Sequence, residues 1–280
     1  MHENGENKQA EGVFSEMEKS TVIGIVLGFV AVIVGMILKG ASPVALVNPA
    51  ALMIIFVGTA ASLFIGFSLE ELKGFPKLIK IAFTEQKTIP KMDLINLFTD
   101  WVSITRREGL LAMESKVEEI QDPFLRNGMR MIIDGNDQDF VHDVLMEDIQ
   151  AMQERHRSGA QIFTQAGTYA PTLGVLGAVI GLIAALSNLN DVESLGHLIS
   201  AAFVATLLGI FSGYVLWHPI ANKLKQKSKK EVEIRLMMVE GLLSIQSGIS
   251  STAVKQKLMI FIPTSQRDEK NESKAGDRDE

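Results

Sequence analysis

The run Ile162-Phe-Thr-Gln-Ala-Gly-Thr-Tyr-Ala-Pro171-Thr-Leu-Gly-Val-Leu-Gly-Ala178-Val-Ile-Gly-Leu-Ile-Ala-Ala-Leu186 decides what kind of protein this is. It contains no charged residue, and at about 1.5 Å per residue a helix of this length crosses a hydrocarbon core of about 30 Å. Moving toward the C-terminus, the polar turn Asn188-Leu189-Asn190-Asp191-Val192-Glu193 leads into a second apolar block, Leu198 to Ile220, so the two blocks predict a helical hairpin. Toward the N-terminus, Thr21 to Leu38 and Pro49 to Phe67 are two more blocks of the same kind. A cleaved leader is the competing reading of the first, but Gly40-Ala41-Ser42 is a poor cleavage site and another apolar block follows at once.

Composition agrees. Apolar residues make up 47% of the 280, and the mean hydropathy is +0.20. Charge is concentrated outside the four blocks, so the chain reads as an all-α membrane protein with four transmembrane helices. The net charge of −6 arises in the soluble parts and excludes nucleic-acid binding as a theme. With no cysteine, disulfide and thiolate chemistry are excluded, and no cofactor is implied. Only Lys39 lies between the first two blocks, and no lysine or arginine lies between the last two. Basic residues gather at Lys19, across Leu69 to Ala160 and at Lys223, Lys225, Lys227, Lys229 and Lys230. The positive-inside rule therefore predicts both termini in the cytoplasm. The expected organisation is an arm (1–20), two spans (21–67), a cytoplasmic helical domain (68–160), the hairpin (161–220), a cytoplasmic helix (221–263) and a disordered charged tail (264–280).

Within the insert between the two pairs of spans, Ile104 to Ile120 reads as one helix with Leu110, Leu111, Met113 and Val117 on one side. Asp122-Pro123 opens another through Ile133, and Gly135 stops it. From Asp139 the apolar positions Phe140, Val141, Val144, Leu145, Ile149 and Met152 continue without a breaker toward the third span. That predicts a helix entering the span directly.

No catalytic set converges, so an enzyme is not expected. The histidines 2, 142, 156, 197 and 218 are scattered, and Asp134 to Asp139 lacks the glutamate of a calcium loop. The polar residues of the last two spans are uncharged: Thr164, Gln165, Thr168, Tyr169 and Thr172, then Ser200, Thr206 and Ser212. No carboxylate lies between Glu154 and Asp191. Any proton path here would need its acid from another chain. The same hydroxyls also suit bonds back into their own helices. Pro171 and Pro219 each remove a backbone donor, for which a plain kink is a sufficient account. Gly174, Gly177 and Gly181 share a side with Ala178 and Ala185, matched by Ala201, Ala202, Ala205 and Gly209, and both sets permit close helix approach. Arg106, Arg107 and Glu114 lie on a solvated face.

The runs Gln165 to Leu186, Ala202 to Ile210 and His218 to Lys225, with Arg106-Arg-Glu-Gly-Leu-Leu111 and Met238-Val-Glu-Gly-Leu242, resemble the MotA family of bacterial flagellar stator subunits. That family belongs to the MotA/TolQ/ExbB proton channel superfamily. The resemblance covers Ser20 to Pro263. It implies a multi-pass protein of the bacterial cytoplasmic membrane, forming a homopentamer around a MotB-type partner that carries the proton-binding aspartate. It further implies ion flow coupled to torque on the rotor protein FliG. By motif match, Arg106 and Glu114 correspond to rotor-facing charges, with Arg107 a neighbour whose role the match does not fix. Pro171 and Pro219 correspond to conformational prolines and Thr206 to a channel-facing hydroxyl, beside Thr168, Tyr169 and Thr172. Sodium-driven relatives, PomA and MotP, usually carry threonine where this chain has Ala178 and Ala205, which favours protons over sodium. An energiser of the ExbB or TolQ kind is the alternative, disfavoured because such proteins usually have three spans.

Overall fold

A peptide group in hydrocarbon has no water to bond, so an apolar segment must satisfy its own backbone, and a helix does so. The computed structural model describes residues 18–264 apart from Lys87 and Asn188. Most of the arm, nearly all of the charged tail and His2 lie outside the described residues. Among those described, every element is helical: α1 (Lys19–Leu38), α2 (Pro43–Gly66), α3 (Leu69–Lys73), α4 (Phe75–Phe83), α5 (Lys91–Glu108), α6 (Glu114–Glu119), α7 (Pro123–Ile133), α8 (Gln138–Leu186), α9 (Val192–Gln246) and α10 (Ser251–Leu258). Four of them, α1, α2, α8 and α9, are long and apolar enough to cross a membrane. As the unbroken pattern after Asp139 predicts, α8 is a single helix of 49 residues that continues through Pro171.

Among the described residues the chain divides into two compact units, one from the stretches 18–86 and 155–227 and one from 88–154 and 228–264. In the first unit, α2 opens with a 3-10 turn at Pro43–Leu46, and the Asn48 side chain then caps the next turn by accepting from the Ala51 amide at 3.1 Å. At Met53–Val57 the helix widens to a π turn before resuming as Gly58–Gly66. Ser68 and Glu71 form a reciprocal capping box that starts α3. A core of Leu63, Ala82, Phe163, Ile220 and Leu224 follows, with Phe75 stacked on Phe163 at 4.9 Å.

One polar tie holds the edge of this unit. The Lys227 ammonium is only 9% exposed at its side chain and donates to the Ile81 carbonyl at 2.7 Å and to the Thr84 carbonyl. It also pairs with Glu18 at 2.9 Å, and Lys223 grips the same carboxylate. The Glu18 amide donates to Phe83 O at 2.9 Å. A buried ammonium needs all its hydrogens matched, and the last turn of α4 and the residue before α1 supply the acceptors. This cation thus ties three separate stretches of chain together.

In the second unit, Phe98, Met113, Leu125, Met129, Val141, Leu145, Met237, Leu242, Val254 and Leu258 are all buried. Trp101 meets Phe98 edge-on at 5.7 Å. Asp122 caps α7 as expected, accepting from the Leu125 amide at 2.9 Å, and Gly135 ends the helix with φ of 81°. The acidic run after it has local work: Asp137 accepts from the Phe140 amide at 2.9 Å, starting α8.

Two expected helices are broken. Ile104 to Ile120 is not continuous, because Gly109 takes φ of 84°, a value that costs a residue with a Cβ. A 3-10 turn, Leu110–Met113, then redirects the chain into α6. Met113 and Val117 are buried, whereas Leu111 is 72% exposed. The stretch 221–263 is likewise not one helix. Gly248, with φ of 65°, ends α9, and the Ser250 side chain caps α10 by accepting from the Ala253 amide at 3.3 Å.

Burial raises the Glu18 pKa, but the hydrogen bonds and charges of Lys223 and Lys227 outweigh it, so the carboxyl lies below its ordinary value. A depressed carboxylate contributes stability above its unfolded pKa of about 4.3, and that contribution disappears as the pH falls through the folded value. Glu18→Gln should therefore lower the thermal midpoint of the purified protein at pH 7. The gap from the parent should close as both are acidified below the ordinary carboxylate range; a constant gap contradicts the ion-pair account.

Candidate functional site

Facing glycines let α8 and α9 approach more closely than side chains would permit. A methyl added to Gly174 would meet the Ala205 carbonyl and the Gly209 Cα at 2.9 Å, and one added to Gly209 would meet the Ala170 carbonyl at 2.8 Å. Further along the seam, Gly177 faces Ala205 and Gly181 faces Ala202. Contact of this kind maximises dispersion where the hydrophobic effect gives no drive. The small-residue faces therefore meet each other within one chain. Ala205 is 3% exposed, in a cluster with Ala51, Ile55 and Ala170, while Ala178 is half-buried.

The two prolines converge on one level of this seam. Pro171 has no N–H for the Gly167 carbonyl four residues back. That carbonyl lies 2.7 Å from the point where a Gly213 methyl would stand, and the Pro171 ring is as near. Gly213 sits in a π turn, Ser212–Trp217, immediately before His218 and Pro219. The His218 ring packs over Gly167 and lies 5.3 Å from the Tyr214 ring. Pro171 in α8 thus touches the widened turn that precedes Pro219 in α9. Nothing in the residue spacing announced Gly213 as the point of contact between them; the signal available was its lack of a side chain. Pro219 itself is exposed, beside a cavity of 370 Å³ shared with Tyr214, Thr21 and Lys223.

Thr168 and Thr172 stand one turn apart on an exposed face of α8. Each hydroxyl donates to the carbonyl four residues back: Thr168 to Thr164 at 3.0 Å and Thr172 to Thr168 at 3.3 Å. Thr206, half-buried on α9, does the same to Ala202 at 3.4 Å. Tyr169 turns away from this row, with its hydroxyl close to Gly66 at the end of α2. Within the span, this face of α8 therefore combines apolar surface with tethered hydroxyls, and no carboxylate lies between Glu154 and Asp191.

In the second unit, Arg106 and Arg107 end α5 and Glu114 begins α6, with the Gly109 turn between them. All three are exposed, and among the described residues neither Arg106 nor Glu114 has an ion-pair partner. The Arg107 guanidinium donates to the Ser103 carbonyl at 3.2 Å and borders a groove of 720 Å³ with Asp100, Lys116 and Glu119. Unpaired charge on a fixed turn suits a charged partner surface.

A methyl at Gly213 has no room, so Gly213→Ala should cost about 1–3 kcal/mol through overpacking. In detergent, the melting temperature should fall by several degrees, while Gly196→Ala, whose Cβ would meet nothing within 4 Å, should not lower it.

Residues 116–237 match the family model described as the MotA/TolQ/ExbB proton channel family. The chain is 52% identical over 267 residues to motility protein A of Bacillus subtilis, covering 94% of this chain and 99% of that protein. In three dimensions it matches a structure of the flagellar MotAB stator complex from Bacillus subtilis with a TM-score of 0.85 and 54% identity, covering 89% of this chain and 98% of the other. A structure of C. jejuni MotAB matches with a TM-score of 0.84 at 30% identity, over 89% of this chain and 97% of the other. Near-complete coverage in both directions, at such identity and over the same four-span helical architecture, settles the kinship: this chain belongs to the MotA/TolQ/ExbB proton channel family.

Proposed function

We propose that the chain is the ring-forming subunit of a flagellar motor stator. With a MotB-type partner it conducts protons across the bacterial cytoplasmic membrane and converts the flow into torque. The observation that carries this reading is a membrane-embedded face that has hydroxyls but no acid. Thr168 and Thr172 lie exposed on the membrane-spanning part of α8, and among the described span residues no carboxylate accompanies them. Polar groups facing lipid are unfavourable, so such a face calls for a covering partner, and a proton path needs that partner to bring the titratable group. The near full-length match to stator proteins supports the same partner chemistry.

In this reading five copies surround a dimer of the partner, with both termini in the cytoplasm and the lysine-free turns outside. Pro171 and Pro219, joined through Gly213, form the deformable level at which α8 and α9 respond to the partner's protonation. Thr206, Thr168 and Thr172 line the path. Arg106 and Glu114, with Arg107 beside them, engage the rotor protein FliG. Protons are favoured over sodium because Ala178 and Ala205 offer no oxygen, and sodium needs several oxygens to replace its hydration shell. The packing at Ala205 supports this: the residue is 3% exposed and lies against Gly177 and Gly174, so its side chain presents no open surface to an ion.

The deciding experiment uses tethered cells of a stator-less strain supplied with this chain and its cognate partner. Rotation should persist when potassium replaces sodium and stop on addition of a protonophore; arrest on sodium removal alone would exclude the proton assignment. In the same cells, Arg106→Glu and Glu114→Lys should each reduce torque while the protein still accumulates in the membrane. Normal swimming in both variants would remove these charges from the rotor contact.

A further inference from the structure

Two buried polar atoms in the membrane-facing unit have no hydrogen-bond partner, and the residues that carry them line the same cavity. They are Thr59 Oγ1, on a residue 3% exposed, and Trp217 Nε1. The cavity is 290 Å³ and its other walls are Phe56, Ala60, Leu63, Phe64, Leu72 and Phe75. A threonine inside a helix normally donates to the carbonyl four residues back, as Thr168 and Thr172 do here. Thr59 lies two residues after the π turn Met53–Val57, where that spacing is altered, and its hydroxyl is left over. Trp217 ends the second π turn, and its ring is held by Phe75 and Phe163, each at 6.3 Å.

Buried polar atoms without partners call for an explanation, and the chemistry here is specific. An indole N–H can only donate, and a hydroxyl can also donate, so the missing group is an acceptor. The remaining wall is hydrocarbon, which excludes a cluster of waters that would need several polar partners each. An acceptor at the head of an apolar body describes an acyl ester. The cavity also opens where lipid would be: Phe56, Ala60 and Phe64 are exposed on its rim. The short helices that supply Leu72 and Phe75 carry Lys73, Lys77 and Lys80, all exposed. Basic residues beside a span attract anionic headgroups, and tryptophan favours the interfacial depth at which ester carbonyls lie.

We propose that this cavity is a binding site for one anionic glycerophospholipid. Its acyl chain lies between α2 and α4, an ester carbonyl accepts from Trp217 Nε1 and the Thr59 hydroxyl, and the headgroup rests on the lysines of α3 and α4.

The test uses the full chain assembled with its partner subunit in membranes, and phosphatidylglycerol carrying a diazirine on one acyl chain. After irradiation, labelled peptides are mapped by mass spectrometry. Labelling should be enriched at 59–64 and at Trp217 relative to the open face of α1. It should fall several-fold in Ala60→Trp, which fills the cavity, and in the double variant Thr59→Val with Trp217→Phe, which removes both donors. Labelling of α1 and recovery of the partner subunit should stay unchanged, which separates loss of the site from loss of the fold. Labelling at 59–64 no higher than on α1, or unaffected by both variants, overturns the site. Crosslinking of these residues to a second copy of the chain in place of lipid overturns it as well, and equal labelling by diazirine phosphatidylcholine overturns the anionic headgroup.

Discussion

Backbone-to-backbone contact between α8 and α9 is the constraint on which the membrane-facing unit depends. Where Gly174 meets Gly209 the helices approach too closely for any methyl group. In hydrocarbon, burying leucine against leucine gains little over leucine against lipid, so helices associate through close packing. The seam explains several choices at once. Ala202 and Ala205 must be small because they lie opposite Gly181 and Gly177. Gly167 must be bare because the His218 ring lies over it, and Gly213 because it lies against the carbonyl that Pro171 leaves unpaired. Toward one end of this seam lies the widened turn Ser212–Trp217, where the backbone departs from α geometry.

The edge of the same unit is organised by charge. Lys227 reads in the sequence as one of five lysines marking the cytoplasmic end of a span, which is a statement about topology. In the structure its ammonium is buried among two carbonyls and the Glu18 carboxylate. One residue can serve both roles because the positive-inside preference acts during insertion, whereas the hydrogen bonds form once α4 and the start of α1 are in place. The capping box at Ser68 and Glu71 has similar economy. Its glutamate also accepts from the Ser158 hydroxyl at 2.7 Å, so a helix start in α3 is bonded to α8 as well.

Legibility followed the physics of each feature. The four spans, the proline-capped start of α7 and the long run of α8 could be read directly, because hydropathy and capping are local properties of the chain. The breaks at Gly109 and Gly248 were harder. A glycine within an amphipathic pattern is tolerated in a helix at modest cost, and only the positive φ it adopts shows that the chain turns there. The π turns left no mark on the pattern, because the spans that hold them are apolar all round and offer no stripe whose phase an extra residue could shift. Candidate-site residues divided in the same way. Arg106, Arg107 and Glu114 proved exposed as expected of charges, but that Tyr169 turns toward α2 while Thr168 stays on the open face depends on packing between segments far apart in sequence. Ala205 was legible as small but not as buried.

A hydroxyl carries one hydrogen, and Thr168, Thr172 and Thr206 have each committed theirs to a backbone carbonyl. What remains toward the open side is a pair of lone pairs on each oxygen. Such groups orient neighbouring water with its hydrogens turned inward, but they cannot hand a proton along by the Grotthuss exchange of donor and acceptor unless each first lets go of its own helix. On the proposed function, a proton moving along this face would meet the threonines as a fixed acceptor lining, and the moving bonds would belong to the water and to the partner's acid.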